Sequence, residues 1–305
     1  MKTPPSFITR FAPSPTGYLH LGHAFAARFA FGAARAVGGV CHLRIEDTDR
    51  TRCKPAFDAA IADDLHWLGF SWPEPVRRQS DHLADYDKAL TRLHAMGLVY
   101  RCFKTRKEVM EAIDRAPHLP LTKGDTATAP QKPPFTGGPI TTGEEMDLMA
   151  EGKPYAWRLS MARCRDHLGA DWSRLAFREE KLSSDQGLKT QIITVVPDLF
   201  GDEIIARKDT HTSYHLACVH DDAHQNISHV VRGNDLFAVT HLHVVLQTLL
   251  GYPTPIYRHH RLLTDDHGER LAKRNQSITL RHLREMGKTP EDIFARIDEM
   301  AAHRG

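Results

Sequence analysis

The sequence predicts an α/β fold in which a parallel sheet carries helices on its faces. Short apolar segments that favour strands alternate with longer segments whose apolar residues recur at helical spacing, and this order is typical of parallel sheets. The chain has 305 residues, which is enough to bury a sizeable core. Its 41% hydrophobic and 26% charged residues exclude wholesale disorder, collagen and coiled coil.

The alternation is clearest in the first hundred residues. Strands are predicted over 7–11 and 40–45, and helices over 22–36, 57–68 and 83–93. A Pro-Ser-Pro-Thr-Gly turn follows the first strand, and the glycine pair at 38 and 39 ends the first helix. This region is therefore predicted to form the first half of the α/β domain.

The composition changes after this first region. Six prolines accumulate in a stretch rich in threonine and glycine: Pro117, Pro120, Pro130, Pro133, Pro134 and Pro139. They indicate a loop-rich insertion. Before them, Thr105 and Glu108 have the spacing of a capping box and predict a short helix. After them, alternating apolar residues predict a strand that extends from Tyr155 to Met161.

The strand–helix pattern returns near residue 190. Strands are predicted in DEIIARKD and ISHVVRG, and a helix in HLHVVLQTLLG. We therefore divide the chain into four parts. They are the first half of the α/β domain (1–100), the insertion (101–189), the second half (190–255), and a lysine-bearing loop with short terminal helices (256–305).

Several classes of protein are excluded. The longest apolar stretch is interrupted by Arg28 and Arg35, so no membrane span is predicted. The N-terminal residues lack the apolar region of a secretory signal, and five cysteines are too few for a disulfide scaffold. We therefore expect a cytoplasmic protein. A net charge of +2 neither indicates nor excludes a nucleic-acid partner, and 20 histidines make isolated histidine pairs weak evidence.

The sharpest local motif is His20-Leu21-Gly22-His23, at the point where a strand gives way to a helix. The N-terminus of a helix presents free N–H groups and partial positive charge, which suit a polyphosphate. Two imidazoles could add donors, and Gly22 would let a flat base approach the backbone. The alternatives are four ordinary residues in a histidine-rich chain, or a nucleotidylyltransferase, since those enzymes carry the same signature.

The second motif is Leu271-Ala272-Lys273-Arg274-Asn275. A mobile loop that carries a lysine can close over a polyphosphate and offset charge as pyrophosphate leaves. Alone, the motif is more simply interpreted as a solvated basic loop. Its occurrence downstream of the histidine motif favours the functional interpretation.

These motifs belong to a longer series of blocks. The segment from Arg10 to His23 strongly resembles the opening of glutamyl-tRNA synthetases, which are class I synthetases. The blocks 43–49, 214–222 and 229–235 resemble later blocks of that family, and 271–275 lies where the family has its KMSKS loop. The resemblance covers the chain except for the loop-rich insertion.

The resemblance implies a Rossmann-like catalytic domain, split by an insertion, that adenylates glutamate. Arg10 and Arg232 would hold the glutamate carboxylates, Glu46 the ammonium group, and Tyr214 would close the pocket. The full set implied for glutamate is Arg10, Phe11, Ala12, Pro13, Ser14, Glu46, Tyr214 and Arg232. The set implied for ATP is His20, Gly22, His23, Asp235 and Lys273, of which His20, His23 and Lys273 would be catalytic. For each charged residue the alternative is a surface ion pair.

The part of the chain after Lys273 is shorter than a usual domain. This plan resembles glutamyl-queuosine tRNA(Asp) synthetases, which are stand-alone paralogues of the glutamyl-tRNA synthetase catalytic half. The implied partners are L-glutamate, ATP with Mg²⁺, and the anticodon loop of tRNA(Asp), and a monomer is expected. The alternatives are a truncated glutamyl-tRNA synthetase that charges the tRNA 3′ end, a small-molecule nucleotidylyltransferase, and a non-catalytic binding module.

The sequence departs from the family at its metal site. Members often bind zinc through a Cys-x-Cys pair followed by further ligands, but here Cys102 is followed by Lys104 at the second position. The next cysteine is Cys164, too far along for a compact site, and one thiolate with an ammonium group cannot form a tetrahedral zinc site. We therefore predict no metal ligands and no zinc.

Overall fold

The computed structural model describes residues 7–115, 134–183, 187–264 and 278–302. In these ranges the strands are β1 (Ile8–Phe11), β2 (Val40–Ile45), β3 (Arg77–Arg78), β4 (Val99–Cys102), β5 (Ala156–Leu159), β6 (Ala176–Ser183), β7 (Gly187–Thr194), β8 (Ile204–Arg207), β9 (His229–Gly233) and β10 (Ile256–His260). The helices are α1 (Leu21–Ala36), α2 (Pro55–Trp67), α3 (Leu83–Ala95), α4 (Arg106–Arg115), α5 (Thr142–Ala150), α6 (Met161–Leu168), α7 (Tyr214–His224), α8 (Phe237–Leu250), α9 (Leu280–Glu285) and α10 (Pro290–Ala302).

The predicted parallel sheet is confirmed. Strand β1 pairs in parallel with β2 and β2 with β3, while β9 pairs in parallel with β10 and β10 with β6. The set β1–β3 and the set β6, β9 and β10 meet where β9 lies beside β1. Two hydrogen bonds join them there: the N–H of Ser228 donates to the carbonyl of Ile8 at 2.9 Å, and the N–H of Ile8 donates to Ser228 Oγ at 2.8 Å. Strand β7 extends this sheet as an antiparallel edge.

A second, antiparallel sheet is formed by β4, β5 and β8. Its strands come from both sides of the division predicted at residue 189, since β5 precedes that point and β8 follows it. Strand β6 also precedes residue 189, yet it joins the parallel sheet. The two sheets are therefore interleaved along the sequence near this point.

One predicted element ends earlier than expected. Met161 was predicted to continue a strand, but it is the first residue of α6. The N–H of Met161 donates to Asp202 Oδ1 at 3.1 Å, so a side chain from a distant loop caps the new helix. The short helix predicted after Thr105 is confirmed as α4, and Thr105 and Glu108 exchange the hydrogen bonds of a capping box.

Helix α1 packs closely against the parallel sheet. Its buried face is built largely of small residues, including Ala24, Ala27, Ala30 and Ala34, which let the helix approach β1 and β9. The N-terminus of α1 consequently lies at the carboxyl ends of these strands, where ligands bind in open α/β sheets. No helix in the described part of the chain is both long and apolar enough to cross a bilayer.

Candidate active site

Two adjoining clefts open at the carboxyl ends of β1, β2 and β9. The first, which we term the α1 cleft, has a volume of about 480 Å³ and lies between the N-terminus of α1 and the end of β9. The second, the Glu46 cleft, has a volume of about 390 Å³ and is lined by Glu46 and the start of α7. Ser14 and Thr16 line both clefts, so the two clefts share a wall.

The two histidines of the sequence motif form the N-terminal cap of α1. His20 Nδ1 accepts a hydrogen bond from the N–H of Gly22 at 3.1 Å, and His23 Nδ1 accepts one from the N–H of His20 at 3.1 Å. Because Nδ1 is the acceptor in each neutral ring, each ring carries its proton on Nε2. No acidic residue lies in the first turn of the helix. This end of the α1 cleft therefore combines the positive end of the helix dipole with two imidazole rings and suits a polyphosphate.

The opposite wall of the α1 cleft contains Gly233 and Asp235, at the end of β9. A Cβ atom on Gly233 would lie 2.5 Å from Asp235 Oδ1 and 2.9 Å from Leu262 Cδ2. A larger residue here would therefore displace the Asp235 carboxylate and the Leu262 side chain from their present positions.

A buried network of charges lies beneath the Glu46 cleft. Arg44, fully buried, donates to Asp222 Oδ1 at 2.7 Å and to Glu46 Oε1 at 3.2 Å. Arg10 donates through Nε to Asp222 Oδ1 at 3.0 Å. Asp222 therefore bridges two guanidinium groups, and Glu46 stands at the end of the network that faces the cleft.

The pKa values of Asp222 and Glu46 depart from their usual values in opposite directions. Burial would raise the pKa of Asp222, but the charges of Arg10 and Arg44 lower it to about 2. Burial raises the pKa of Glu46, and Arg44 and Arg10 oppose this rise without cancelling it. An incoming ammonium group beside Glu46 would favour the ionised carboxylate.

Arg232 is held in a second buried network, behind Tyr214. It donates to Thr240 Oγ1 at 2.7 Å, to the carbonyl of Leu236 at 3.1 Å and to the hydroxyl of Tyr214 at 3.4 Å. Its Nε donates to His259 Nε2 at 3.2 Å. The guanidinium group is thereby fixed from several sides before any ligand enters.

A chain of hydrogen bonds fixes the tautomers of the histidines around Arg232. His259 Nε2 accepts from Arg232 Nε at 3.2 Å, so the ring proton is on Nδ1, which donates to Glu179 Oε2 at 2.9 Å. His243 Nδ1 accepts from Arg232 at 3.5 Å, and its Nε2 then donates to His215 Nδ1 at 3.3 Å. His215 consequently carries its proton on Nε2 and lines the Glu46 cleft as a neutral donor. Burial, followed by the charge of Arg232, lowers the pKa of His215 to about 4 and keeps it neutral.

The structure brings most of the predicted site residues to these two clefts. The α1 cleft is lined by Phe11, Ala12, Pro13, Ser14, His20, Gly22, His23 and Asp235, and the Glu46 cleft by Ser14, Glu46 and Tyr214. Phe11, Ala12 and Pro13, expected at the glutamate position, thus lie with the residues expected to bind ATP. Arg10 and Arg232 are 4% and 6% exposed and lie behind the cleft walls. Lys273 lies outside the described residues.

Sequence reasoning missed the residues that hold Arg232. They include Thr240, His243 and His259, which contact Arg232 directly, and Glu179, which holds His259. A signal was present in helix α8, where Thr240 and His243 interrupt a largely apolar segment and are almost completely buried. Buried polar residues in an apolar helix indicate hydrogen-bonding partners inside the protein.

The described part of the chain contains no group of three or more histidine, cysteine, aspartate or glutamate residues placed to hold a metal ion. Cys102 is buried, and Lys104, two residues later, is exposed. That the insertion binds no zinc stays a prediction.

Comparison with known proteins agrees with these features. Residues 6–303 match the catalytic domain of class I tRNA synthetases (E and Q). The chain is 44% identical to a glutamyl-Q tRNA(Asp) synthetase of Rhodobacter capsulatus over 94% of its own length and 98% of that protein. It is 36% identical to a glutamate–tRNA ligase 2 of Methylobacterium sp., of which it covers 58%.

A crystal structure of glutamate-tRNA synthetase from Elizabethkingia anophelis aligns with 95% of this chain and 61% of that one, at a TM-score of 0.68 and 25% identity. The matched fold contains the parallel sheet that carries both clefts. The chain therefore belongs to the family of class I tRNA synthetases for glutamate and glutamine and carries the family's catalytic domain.

Proposed function

We propose that this protein activates glutamate with ATP in the absence of tRNA and transfers the glutamyl group to the queuosine of tRNA(Asp). The observation that carries the proposal is the pair of adjoining clefts, one suited to a polyphosphate and the other lined by Glu46 and Tyr214. Membership of the class I family implies the use of ATP. The acceptor is suggested by the relative named glutamyl-Q tRNA(Asp) synthetase, which this chain matches over 98% of that protein's length.

Glutamate would occupy the Glu46 cleft. Glu46 would receive the ammonium group, while Arg10 and Arg232 would hold the two carboxylates from the inner side of the cleft. Tyr214 stands between Arg232 and the cleft, and its hydroxyl already accepts from Arg232 at 3.4 Å. The main-chain groups of Ser14 would connect the amino acid to the nucleotide.

ATP would occupy the α1 cleft and bring Mg²⁺ with its phosphates. His20, His23 and the start of α1 would hold the phosphates, Gly22 would let the base approach, and Asp235 would bind the ribose. Lys273, in the KMSKS-like loop, would offset charge on the departing pyrophosphate. No side-chain nucleophile is needed, because positioning and electrostatics lower the barrier.

The proposed chemistry has two steps. A glutamate carboxylate oxygen attacks the α-phosphorus of ATP, the bond to the β-phosphate bridging oxygen breaks, and glutamyl-adenylate and pyrophosphate form. A hydroxyl of the cyclopentenediol of queuosine then attacks the glutamyl carbonyl. That hydroxyl loses its proton, AMP leaves, and glutamate is held as an ester.

The acceptor is tested by mapping the label. tRNA is charged with radiolabelled glutamate and digested with a ribonuclease, and the fragments are separated. Label on the anticodon fragment of queuosine-containing tRNA(Asp), absent from the same tRNA without queuosine, is the expected result. Label on the terminal adenosine would instead identify a glutamyl-tRNA synthetase that charges the 3′ end.

A further inference from the structure

A third cleft lies beside the Glu46 cleft, between the β4–α4 turn and strands β5 and β8. We term it the basic groove. It has a volume of about 660 Å³, and its wall includes Phe103, Lys104, Arg106, Tyr155, Arg207 and Lys208. Of these residues only Arg207 also lines the Glu46 cleft, and none of them was assigned a contact with glutamate or ATP.

The groove carries unbalanced positive charge. Lys104, Arg106, Arg207 and Lys208 are exposed, and in the described part of the chain none of them forms an ion pair with a carboxylate. Asp209 is the one acidic residue among the described residues that line the groove. Such a strip attracts phosphates over a distance of about 10 Å at moderate salt.

Two aromatic rings accompany this charge. Phe103 and Tyr155 are half-buried, with ring centroids 5.5 Å apart and planes inclined by 57°. The Arg101 guanidinium lies 5.4 Å from the Tyr155 ring centroid and holds that ring from one side. Unpaired bases stack on rings of this kind, whereas phosphates bind the neighbouring cations.

The groove adjoins the Glu46 cleft. Ile204 and Arg207, at the two ends of β8, line both volumes. Arg207 is fixed in this position because β8 pairs with β5, where Arg207 lies opposite Ala156. A polymer with one unit at the mouth of the Glu46 cleft would therefore place its neighbouring units along the groove.

We propose that the basic groove binds the nucleotides that flank the acylated nucleoside in the loop of the tRNA substrate. The proposal rests on the proposed function, because that function requires a single-stranded loop to reach the glutamyl group held in the Glu46 cleft. Phosphates would contact Lys104, Arg106 and Lys208, and a flanking base would stack on Phe103 or Tyr155. The formation of glutamyl-adenylate needs none of these contacts.

The test separates RNA binding from adenylation. The variant Lys104→Glu/Lys208→Glu is compared with Lys88→Glu/Arg174→Glu, two exposed cations that line neither this groove nor the Glu46 cleft. We expect the groove variant to retain glutamate-dependent ATP–pyrophosphate exchange and to raise the KM for tRNA by about tenfold. The slope of log affinity against log salt should fall by roughly 1.4, for two lost contacts to a single strand.

Direct binding keeps the test independent of the enzyme assay. A fluorescent anticodon stem-loop RNA of tRNA(Asp) is titrated with wild type and both variants, without glutamate or ATP. Weaker binding in the groove variant alone supports the proposal, and equal binding in all three proteins overturns it. Failure of the proposed function is recognised separately, because wild type itself would then place no label on the anticodon fragment.

Discussion

At the scale of single residues, the site is organised by arginines that the protein buries and pairs before any substrate arrives. Asp222 accepts from both Arg10 and Arg44, and it is itself almost completely buried. Breaking a buried pair by removing one partner is costly, because the remaining charge has neither water nor a counter-charge. The residues that hold the arginines should therefore affect stability as well as activity.

Replacement of Asp222 tests this view. We expect Asp222→Ala to lower the free energy of unfolding by about 3–5 kcal/mol, since Arg10 and Arg44 lose their shared partner. Asp298→Ala is the matched control, because Asp298 pairs with Arg28 at the surface with 61% of its side chain exposed, and such pairs contribute about 0–1 kcal/mol. Urea unfolding measures both. Equal losses in the two variants would show that the buried network contributes no more than a surface pair.

The lowered pKa of His215 leads us to expect that the free energy of unfolding depends on pH. Its pKa is lowered to about 4 in the folded protein, against 6.5 for a free imidazole, so the unfolded chain binds the proton first as pH falls. Stability from this group is complete above about pH 6.5 and decreases towards pH 4, by roughly 3 kcal/mol in total. Between pH 7 and 4 the free energy of unfolding of wild type should therefore fall by about this amount more than that of His215→Asn. Parallel curves would contradict the assignment of a neutral His215.

At the scale of elements, local patterns predicted most helices and strands, but not which distant strands pair. The glycine pair ended α1 as expected, and the Thr105 capping box began α4. The strand that was expected to include Met161 ended early because Asp202, far along the chain, caps the next helix. Hydrophobic periodicity does not predict such long-range contacts, nor does it predict that β6 pairs with β10.

The turn after β9 gives a prediction for one element. A methyl group on Gly233 would lie 2.5 Å from Asp235 Oδ1, so Gly233→Ala must displace the carboxylate that we propose as the ribose contact. We expect the KM for ATP to rise while the KM for glutamate stays unchanged, as measured by pyrophosphate exchange. Gly32→Ala in α1 is the control, since a Cβ there meets no atom within 4 Å. An unaltered KM for ATP in Gly233→Ala would remove Asp235 from the proposed site.

At the scale of the whole molecule, the two clefts combine residues from the beginning and the later part of the chain. The sequence blocks identified Glu46, Tyr214, Asp235 and the α1 motif, because a family resemblance transfers positions that are distant in sequence. It did not identify the layer behind Arg232, since these residues carry no motif and their role follows only from distances. The lining of the clefts could be predicted, whereas the networks that support it required the structure.

These supporting networks lead to the last prediction, that glutamate supports ATP–pyrophosphate exchange in the absence of tRNA. Arg232 is already held by Thr240 and the carbonyl of Leu236, and Arg10 by Asp222, so no RNA contact is needed to place either charge. A site that is organised in advance loses little free energy in rearrangement when its substrates bind. The exchange assay is run with glutamate, glutamine and aspartate, each with and without tRNA(Asp). Exchange that requires tRNA, or that proceeds faster with glutamine than with glutamate, would show that the two arginines do not form the glutamate site in the free enzyme.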